Sequence, residues 1–376
     1  MRTVGESVRE RIRSDILRSG ASISGSRVPS ERELQERYGV SRRTINRALC
    51  ELAADGLLVR PIGARRYSIA EHIHSAAPAT RDAKFIGCVS SDLSSTHFGA
   101  QLGLRVFRGI HDAAIRRGAR VLMGISGEDI ASERGAVTHL IESGASGLVI
   151  WPHLRSGKDI EDDYLVTEVL PVPVVLLDNT SPAQGHIQVV FDNRRAGYDI
   201  TSWLIEQGHR RIAIVTVPDE SRHTPVLSRL QGYREALASH EIACDPHLIA
   251  RLPFVVLASR YSDPAVLDDH INRMLDEWLG LQEAPTAIVG IEDSVAIDLI
   301  THLSDRGIRV PDEICVTGFD NLDIARLFRP GFTTTRPDFR RMGELACSLL
   351  LDRLAGVESP PMTYVLESPL IVRGRK

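Results

Sequence analysis

Three arginines, a threonine and an asparagine crowd into six residues, Arg42-Arg43-Thr44-Ile45-Asn46-Arg47. On an α-helix Ile45, Ala48, Leu49 and Leu52 recur at i, i+3, i+4 and i+7, an apolar stripe that must pack on something. Arg43, Asn46, Arg47 and Cys50 then project from the opposite side, with Arg42 and Thr44 flanking the first turn. A guanidinium can bond a guanine edge with two hydrogen bonds, and the N-terminal residues of a helix in the major groove come nearest the bases. Alone, such a helix would be an ordinary solvated charged face. Its surroundings decide the reading.

Before it, residues 6–19 place Val8, Ile12, Ile16 and Leu17 on one face of a helix that ends near Gly20. The run Pro29-Ser30-Glu31-Arg32-Glu33 predicts a second helix, with Ser30 as its cap and Glu33 reaching back to it. That helix runs to Tyr38, and Gly39 supplies the left-handed residue that ends it. Ser41 caps the third helix, Arg42 to about Ala54, which makes a helix-turn-helix. Next come residues 56–60, a turn at Pro61-Ile62-Gly63-Ala64, and residues 65–69. This is strand, turn, strand: a small wing with Arg65 and Arg66 just past its tip.

Charge agrees with a polyanion partner for this region alone. Residues 1–70 carry 14 Arg, no Lys and 8 acidic residues, so a basic head precedes a body that is acidic overall. Five scattered cysteines with no CxxC argue against a disulfide framework or zinc site, and a reducing cytoplasm is the expected compartment. No apolar run is long enough to cross a bilayer, and residues 1–20 carry charges throughout, so neither membrane insertion nor a signal peptide is expected. Residues 71–84 lack periodicity and read as a linker, in which His72 and His74 are expected to be solvated rather than metal-bound.

From residue 85 short apolar runs alternate with amphipathic stretches. Strands are predicted at 85–89, 120–125, 147–150, 172–177, 188–191, 211–217, 286–291 and 313–317. Helices are predicted at 103–117, 132–143, 194–207, 228–240, 264–279 and 294–306. This order predicts an α/β body of two doubly wound lobes over residues 85–376, with a cleft between them, behind a winged helix-turn-helix over residues 1–70. No GxGxxG, GxxxxGK[ST] or GxSxG occurs, which removes the common dinucleotide, P-loop and hydrolase readings.

The stretch VPSERELQERYGVSRRTINRALCELAADGLLVR (28–60) resembles the winged-helix domain of the GntR family of bacterial transcription regulators. The resemblance implies that Arg32, Arg42, Arg43, Thr44 and Arg47 lie at or near DNA, and that the wing around Gly63 and Arg65 approaches the minor groove. The wing departs from the family's GxGT-F pattern, and Arg32 could equally be an ion-pair partner on the helix surface.

The body resembles the sensor of the LacI/GalR repressors, itself built like periplasmic sugar-binding proteins. The matching stretches include IGCVSSDLSSTHF (86–98), SGLVIWP (146–152), VVFDNRRAGYDIT (189–201), SRLQGYREAL (228–237) and RGIRVPDEICVTGFDN (306–321). A GntR-type head on such a sensor resembles the arabinose repressors. The resemblance places Ser91, Asp92, Phe98, Trp151, Asp178 and Phe191 on the first-lobe side of the cleft, and Arg229, Glu292 and Asp320 on the second.

Carboxylates accept hydroxyl hydrogens and the guanidinium donates, which suits a sugar. Phe98 and Phe191 could instead be core, and Asp92 and Asp293 could be helix caps. Residues 252–263 exceed what the family usually carries and receive no assignment.

The expected protein is therefore a regulator, most readily a repressor, that binds double-stranded operator DNA as a homodimer under control of a small effector, with no cofactor. A solute-binding protein, a glycosidase built on the carboxylates, and a nucleobase-responsive regulator are the alternatives.

Overall fold

The computed structural model describes residues 28–54, 58–59, 67–69, 84–90, 98–127, 129–153, 163–180, 185–218, 223–329, 331–357 and 361–373, together with residues 8, 11, 12 and 15. The chain divides into two units, Met1–Ala83 and Lys84–Lys376. Of the linker predicted over 71–84, only Lys84 is among the described residues.

In the first unit the helix Glu31–Tyr38 begins with the predicted capping box. Ser30 Oγ accepts from the Glu33 amide, and Glu33 Oε2 accepts from the Ser30 amide at 2.6 Å. The helix ends on Gly39 at φ 65, where a side chain would be strained. The second helix is Arg42–Ala54, and its predicted stripe of Ile45, Ala48, Leu49 and Leu52 is buried. Val8, Ile12, Val28, Leu34 and Leu58 complete that small core. Strands β1 (Leu58–Val59) and β2 (Ser68–Ile69) pair antiparallel as the base of the wing.

The second unit holds two parallel sheets. The first-lobe strands are β3 (Phe85–Ser90), β4 (Arg120–Ile125), β5 (Ala145–Trp151), β6 (Val174–Leu177) and β7 (Ile187–Phe191). The second lobe has β8 (Ile212–Thr216), β9 (Ile249–Arg251), β10 (Ala287–Val289) and β11 (Cys315–Thr317). The chain then crosses back through β12 (Thr334–Thr335) and the helix Phe339–Leu354 to β13 (Thr363–Leu366), and finishes on β14 (Leu370–Ile371). Sheet orders are β13-β7-β6-β5-β3-β4 and β11-β10-β8-β9, while β12 and β14 pair antiparallel.

Alternate residues of one strand serve opposite cores, which is why these strands read as unbroken apolar runs. Along β8, Ile212 and Ile214 join Ile200, Leu204 and Leu230 on one side, while Ala213 and Val215 join Ile271, Leu275 and Leu299 on the other.

Every predicted strand and helix of the body is present within a few residues of its expected ends. Missing from the prediction were β9, β12, β13, β14 and the helices Tyr164–Thr167, Phe254–Ser262, Asp323–Leu327 and Phe339–Leu354. The strands are two to four residues long, too short for a period to register. Edge strand β13 also exposes alternate residues, and its Val365 is an exposed apolar side chain. The Phe339–Leu354 helix is a first-lobe helix supplied from the far end of the chain, which no local pattern announces.

Each lobe contains one helix crossing set by a pair of glycines. In the first lobe, a Cβ on Gly109 would lie 2.0 Å from the Arg340 carbonyl oxygen, and one on Gly343 would lie 2.1 Å from that of Val106. In the second, a Cβ on Gly197 would lie 2.2 Å from the Arg229 carbonyl oxygen, and one on Gly232 would lie 1.9 Å from that of Arg194. The helices Asn193–Glu206 and Thr224–Ser239 therefore touch backbone to backbone beside Arg229. Because the obstacle is a carbonyl and not a flexible side chain, Gly197→Ala should cost about 1–3 kcal/mol. A thermal melt of that variant should show the loss; a midpoint equal to the parent's would mean that the crossing yields more easily than the geometry indicates.

Candidate functional site

The cleft chemistry is organised by Arg229, on the helix Thr224–Ser239. Its Nε donates to Asn193 Oδ1 at 2.9 Å, Nη1 to the Ile291 carbonyl at 2.7 Å and Nη2 to Asp320 Oδ1 at 3.0 Å. The guanidinium also lies over the buried ring of Phe319, 4.4 Å from its centroid. Three of its five N–H groups are thus spent within the protein, and two have no acceptor among the described residues. The Arg229–Asp320 pair is nearly buried, with side-chain exposures of 11% and 6%. A pair so desolvated is strongly sensitive to loss of either member.

Asp320 is presented by a strained turn. Asp320 and Asn321 have φ 90 and 46, both on the left-handed side. Asp293 holds this turn: its amide donates to the Phe319 carbonyl at 2.9 Å, and its carboxylate accepts from the Leu322 amide at 2.7 Å and from Thr334 Oγ1 at 2.5 Å. Gly318 makes room for that carboxylate, since a Cβ there would lie 2.5 Å from Asp293 Oδ1. The Thr-Gly-Phe-Asp-Asn sequence is thus a turn built around Asp293. This aspartate is fully buried and acts on the loop; the N-cap position of its helix is Glu292, which makes no side-chain capping bond.

Asp178 directly follows β6 at φ 61, half-buried, with its amide bonded to the Val189 carbonyl at 2.9 Å. Burial pushes its carboxyl up to about 7; the nearby Arg229 pulls it down and Asp320 pushes it further up. Those couplings bring the first-lobe carboxyl into the same electrostatic neighbourhood as the second-lobe pair. Glu292, half-buried after β10, is also raised by burial, while a hydrogen bond from Ser294 Oγ, Arg260 and Arg229 oppose the rise. His223 is held neutral by burial and by Arg229, its pKa lowered to about 3. Two contacts tie the lobes near these groups: the Thr180 amide donates to Thr224 Oγ1 at 2.8 Å, and Arg105 pairs with Asp323 at 2.8 Å.

The aromatic residues divide. Phe191 is buried and packs edge-on against Phe339, centroids 5.0 Å apart, so it belongs to the first-lobe core. Trp151 stacks on the same Phe339 at 5.9 Å but stays partly exposed, beside a small recess of about 10 Å³ shared with Ser90 and Phe107. Phe98 opens the helix Phe98–Arg116, but its side chain, like Ser91 and Asp92, lies outside the described residues. Sequence reasoning therefore brought Asp178, Arg229, Glu292 and Asp320 to one place. It missed Asn193, His223, Phe319 and Arg260, whose roles arise from contacts with residues far away in the chain.

On the helix Arg42–Ala54, Arg42, Arg43, Asn46 and Arg47 are exposed. Glu31 accepts from Arg42 Nε at 2.7 Å and from Asn46 Nδ2 at 3.0 Å, and so orients both. Arg47 pairs with Glu51 and Arg32 with Glu36, each one turn away. Among the described residues Arg43 has no carboxylate partner, and Thr44 bonds Ser41 at 2.9 Å. Gly63 and Arg65 lie outside the described residues.

Residues 2–65 match the family model of bacterial regulatory proteins, gntR family, and residues 201–374 match that of a periplasmic binding protein-like domain. The Escherichia coli HTH-type transcriptional repressor CytR is 28% identical over 271 residues, 72% of this chain and 74% of that protein. The arabinose metabolism transcriptional repressor of Geobacillus stearothermophilus is 27% identical over 359 residues, 94% of this chain and 93% of that one. Among solved structures, the transcriptional regulator CelR–cellobiose complex is similar with a TM-score of 0.65 at 21% identity, covering 99% of each chain. The lac repressor dimer bound to operator and the anti-inducer ONPF is similar with a TM-score of 0.64 at 22% identity, covering 78% of this chain and 94% of that one. With a helix-turn-helix of one kind and a two-lobed body of another, this chain joins a GntR-type DNA-binding domain to a periplasmic-binding-protein-like domain of the kind carried by LacI/GalR-type repressors.

Proposed function

We propose that the protein is a transcription repressor that binds operator DNA as a homodimer in the cytoplasm and is controlled by a sugar held between the two lobes of its body. The observation that carries this reading is the presence, in one chain, of an exposed arginine row on a helix-turn-helix and a cleft where carboxyls from both lobes surround one arginine. A regulator needs both halves. An enzyme or a transport protein has no use for the first.

Arg43 and Arg47 are assigned to base edges, Arg42 and Thr44 to the flanks of the groove, and Arg32 to phosphate once its weak exposed pairing with Glu36 exchanges. Gly63 and Arg65 are assigned to the minor groove. In the cleft, Asp178, Glu292 and Asp320 accept from sugar hydroxyls, and the two remaining N–H groups of Arg229 donate. Trp151 supplies a face for the C–H side of the ring. Ser91, Asp92 and Phe98 are assigned to the same ligand. The three carboxylates are assigned to binding rather than turnover, and candidate glycosides should pass through unhydrolysed.

A ligand that touches both lobes favours their closed arrangement, because only a difference in affinity between two states moves the equilibrium. Asp178 belongs to one lobe and Asp320 with Arg229 to the other, so one sugar bonded to both would draw them together. Closure is the signal that would reach the DNA-binding domains, with release of the operator as its result.

For DNA, Arg43→Ala should cost about 1–3 kcal/mol of operator affinity, and binding by the parent should fall steeply with salt. A gel shift showing equal affinity for mutant and parent would return Arg43 to an ordinary solvated face. For the effector, Asp320→Asn should abolish the sugar response. Asparagine is the replacement of choice because it tolerates the left-handed backbone at this position. An unchanged response in an operator-release titration would place the effector elsewhere.

Asp178 adds a dependence on pH. Its folded pKa lies above the unfolded value of about 3.9, so the fold retains a proton that the unfolded chain has lost. Stability should therefore fall as pH rises from about 4 to about 7, and Asp178→Asn should flatten that slope in thermal melts. Hydroxyl donors favour the ionised carboxylate, so sugar affinity should rise with pH up to about 7 and then level off. Titration calorimetry across that range checks it; a pH-independent affinity would detach Asp178 from the ligand.

A further inference from the structure

The helix Phe254–Ser262 lies in the segment that received no assignment from sequence. Leu252, just before it, and Val256 belong to the same core as Ile291 and Val295, which lie on either side of Glu292 in the sequence. Arg260 on this helix lies close enough to Glu292 to act on its charge. Its Nη1 donates to Asp298 Oδ2 on the helix Asp293–Asp305, and the two side chains are only 14% and 22% exposed. Its Nη2 is buried and has no hydrogen-bond partner among the described residues.

A guanidinium N–H withdrawn from water without an acceptor is costly to leave so, and in native proteins such a group asks for an explanation. Glu292 supplies one side of it, because Arg260 is close enough to lower the Glu292 pKa while making no ion pair with it. A buried donor close to a carboxylate to which it is not bonded has the makings of the two halves of a diol site. One hydroxyl accepts from the guanidinium and its neighbour donates to the carboxylate.

We propose that Arg260 is a ligand-contacting residue of the effector cleft, with Nη2 donating to one hydroxyl of a vicinal diol while Glu292 accepts from the adjacent hydroxyl. The proposal rests on the effector-cleft reading above and adds to it the charge class of the ligand. Asp298 already matches the charge of Arg260, and Asp320 that of Arg229. Glu292, Asp178 and the buried Asp293 are then carboxyls with no ion-pair partner among the described residues, so the cleft is set against a carboxylate or phosphate on the ligand. The effector is an uncharged sugar whose hydroxyl pair, rather than an anionic substituent, is read by Arg260. Asp298 is a positioning residue: it fixes one edge of the guanidinium so that the other edge points at the diol.

The test uses the full chain. Thermal shift first ranks L-arabinose, D-ribose, D-xylose, D-glucose, D-galactose, cellobiose, D-galacturonate and glucose 6-phosphate. Titration calorimetry then compares the strongest sugar with its single-deoxy derivatives, on the parent and on R260M/D298N, which removes the buried pair together and so leaves no orphaned charge. In the parent, deletion of one hydroxyl should weaken binding by about 10- to 100-fold, the range for a hydrogen bond to a charged group. The double variant should bind the sugar more weakly by a similar factor and be indifferent to that same deletion, the non-additivity expected of groups in contact. A variant as tight as the parent, or one equally weakened toward every deoxy derivative, overturns the proposal and returns Arg260 to a structural role. Tighter binding of galacturonate or glucose 6-phosphate than of the matching sugars also overturns it, while leaving a cleft effector in place. A parent that none of the eight compounds stabilises overturns the sugar reading and this inference together.

Discussion

Arg229 is the point at which the second lobe is assembled. Its guanidinium binds a side chain from the start of one helix, a carbonyl after β10 and a carboxylate after β11, over an aromatic ring that fills the core beneath. A planar fork with five donors can satisfy several partners in fixed directions at once, which a lysine could not. The arrangement depends on the backbone contact at Gly197 and Gly232, which sets how deeply the helix bearing Arg229 sits against its neighbour. The strain in the Asp320–Asn321 turn is held by Asp293 from below. Strained backbone persists where surrounding contacts over-determine it, as they do here.

That rigidity contrasts with the state of the remaining acids. Arg229 is largely spent on the protein, so the carboxyls of Asp178 and Glu292 sit in a partly dry cleft with no cation of their own, and burial raises both. On the proposed reading, such a site suits hydrogen-bond donors that carry no charge. Its first-lobe contribution, Asp178, comes from the end of β6, and its second-lobe contributions come from the ends of β10 and β11. Parallel sheets place ligands at the carboxyl ends of their strands, and here two such ends face each other.

The helix Arg42–Ala54 follows a similar economy. Glu31 holds Arg42 and Asn46, and Glu51 holds Arg47, through exposed bonds that cost little to exchange for phosphate or base. Arg43, without a carboxylate partner among the described residues, needs no exchange before meeting an acceptor. The glutamates keep the row ordered and lower its net charge, which limits indiscriminate attraction to polyanions.

Local signals sufficed for much of this. The capping box at Ser30 and Glu33, the left-handed Gly39 and the buried Ile45–Leu52 stripe depend on residues within a turn or two of one another, and all were legible in order. So were the long apolar strands and most helices of the body, because burial on both faces writes an unbroken hydrophobic run. The motif Thr-Gly-Phe-Asp-Asn marked Asp320 by resemblance. Only the folded chain explained it, since Gly318 exists to admit Asp293 from another strand end. Edge strand β13, the returning helix Phe339–Leu354 and the packing of Phe191 in the core against Phe339 could not be read, because each is settled by a partner more than a hundred residues away. Residue types and spacing by themselves determined the two-part architecture and the acids and arginines available to it. Which arginine is already satisfied, which donor is left over and which carboxyl lacks a cation were decided by tertiary structure alone, because hydrogen-bond satisfaction and desolvation belong to a site and not to a residue.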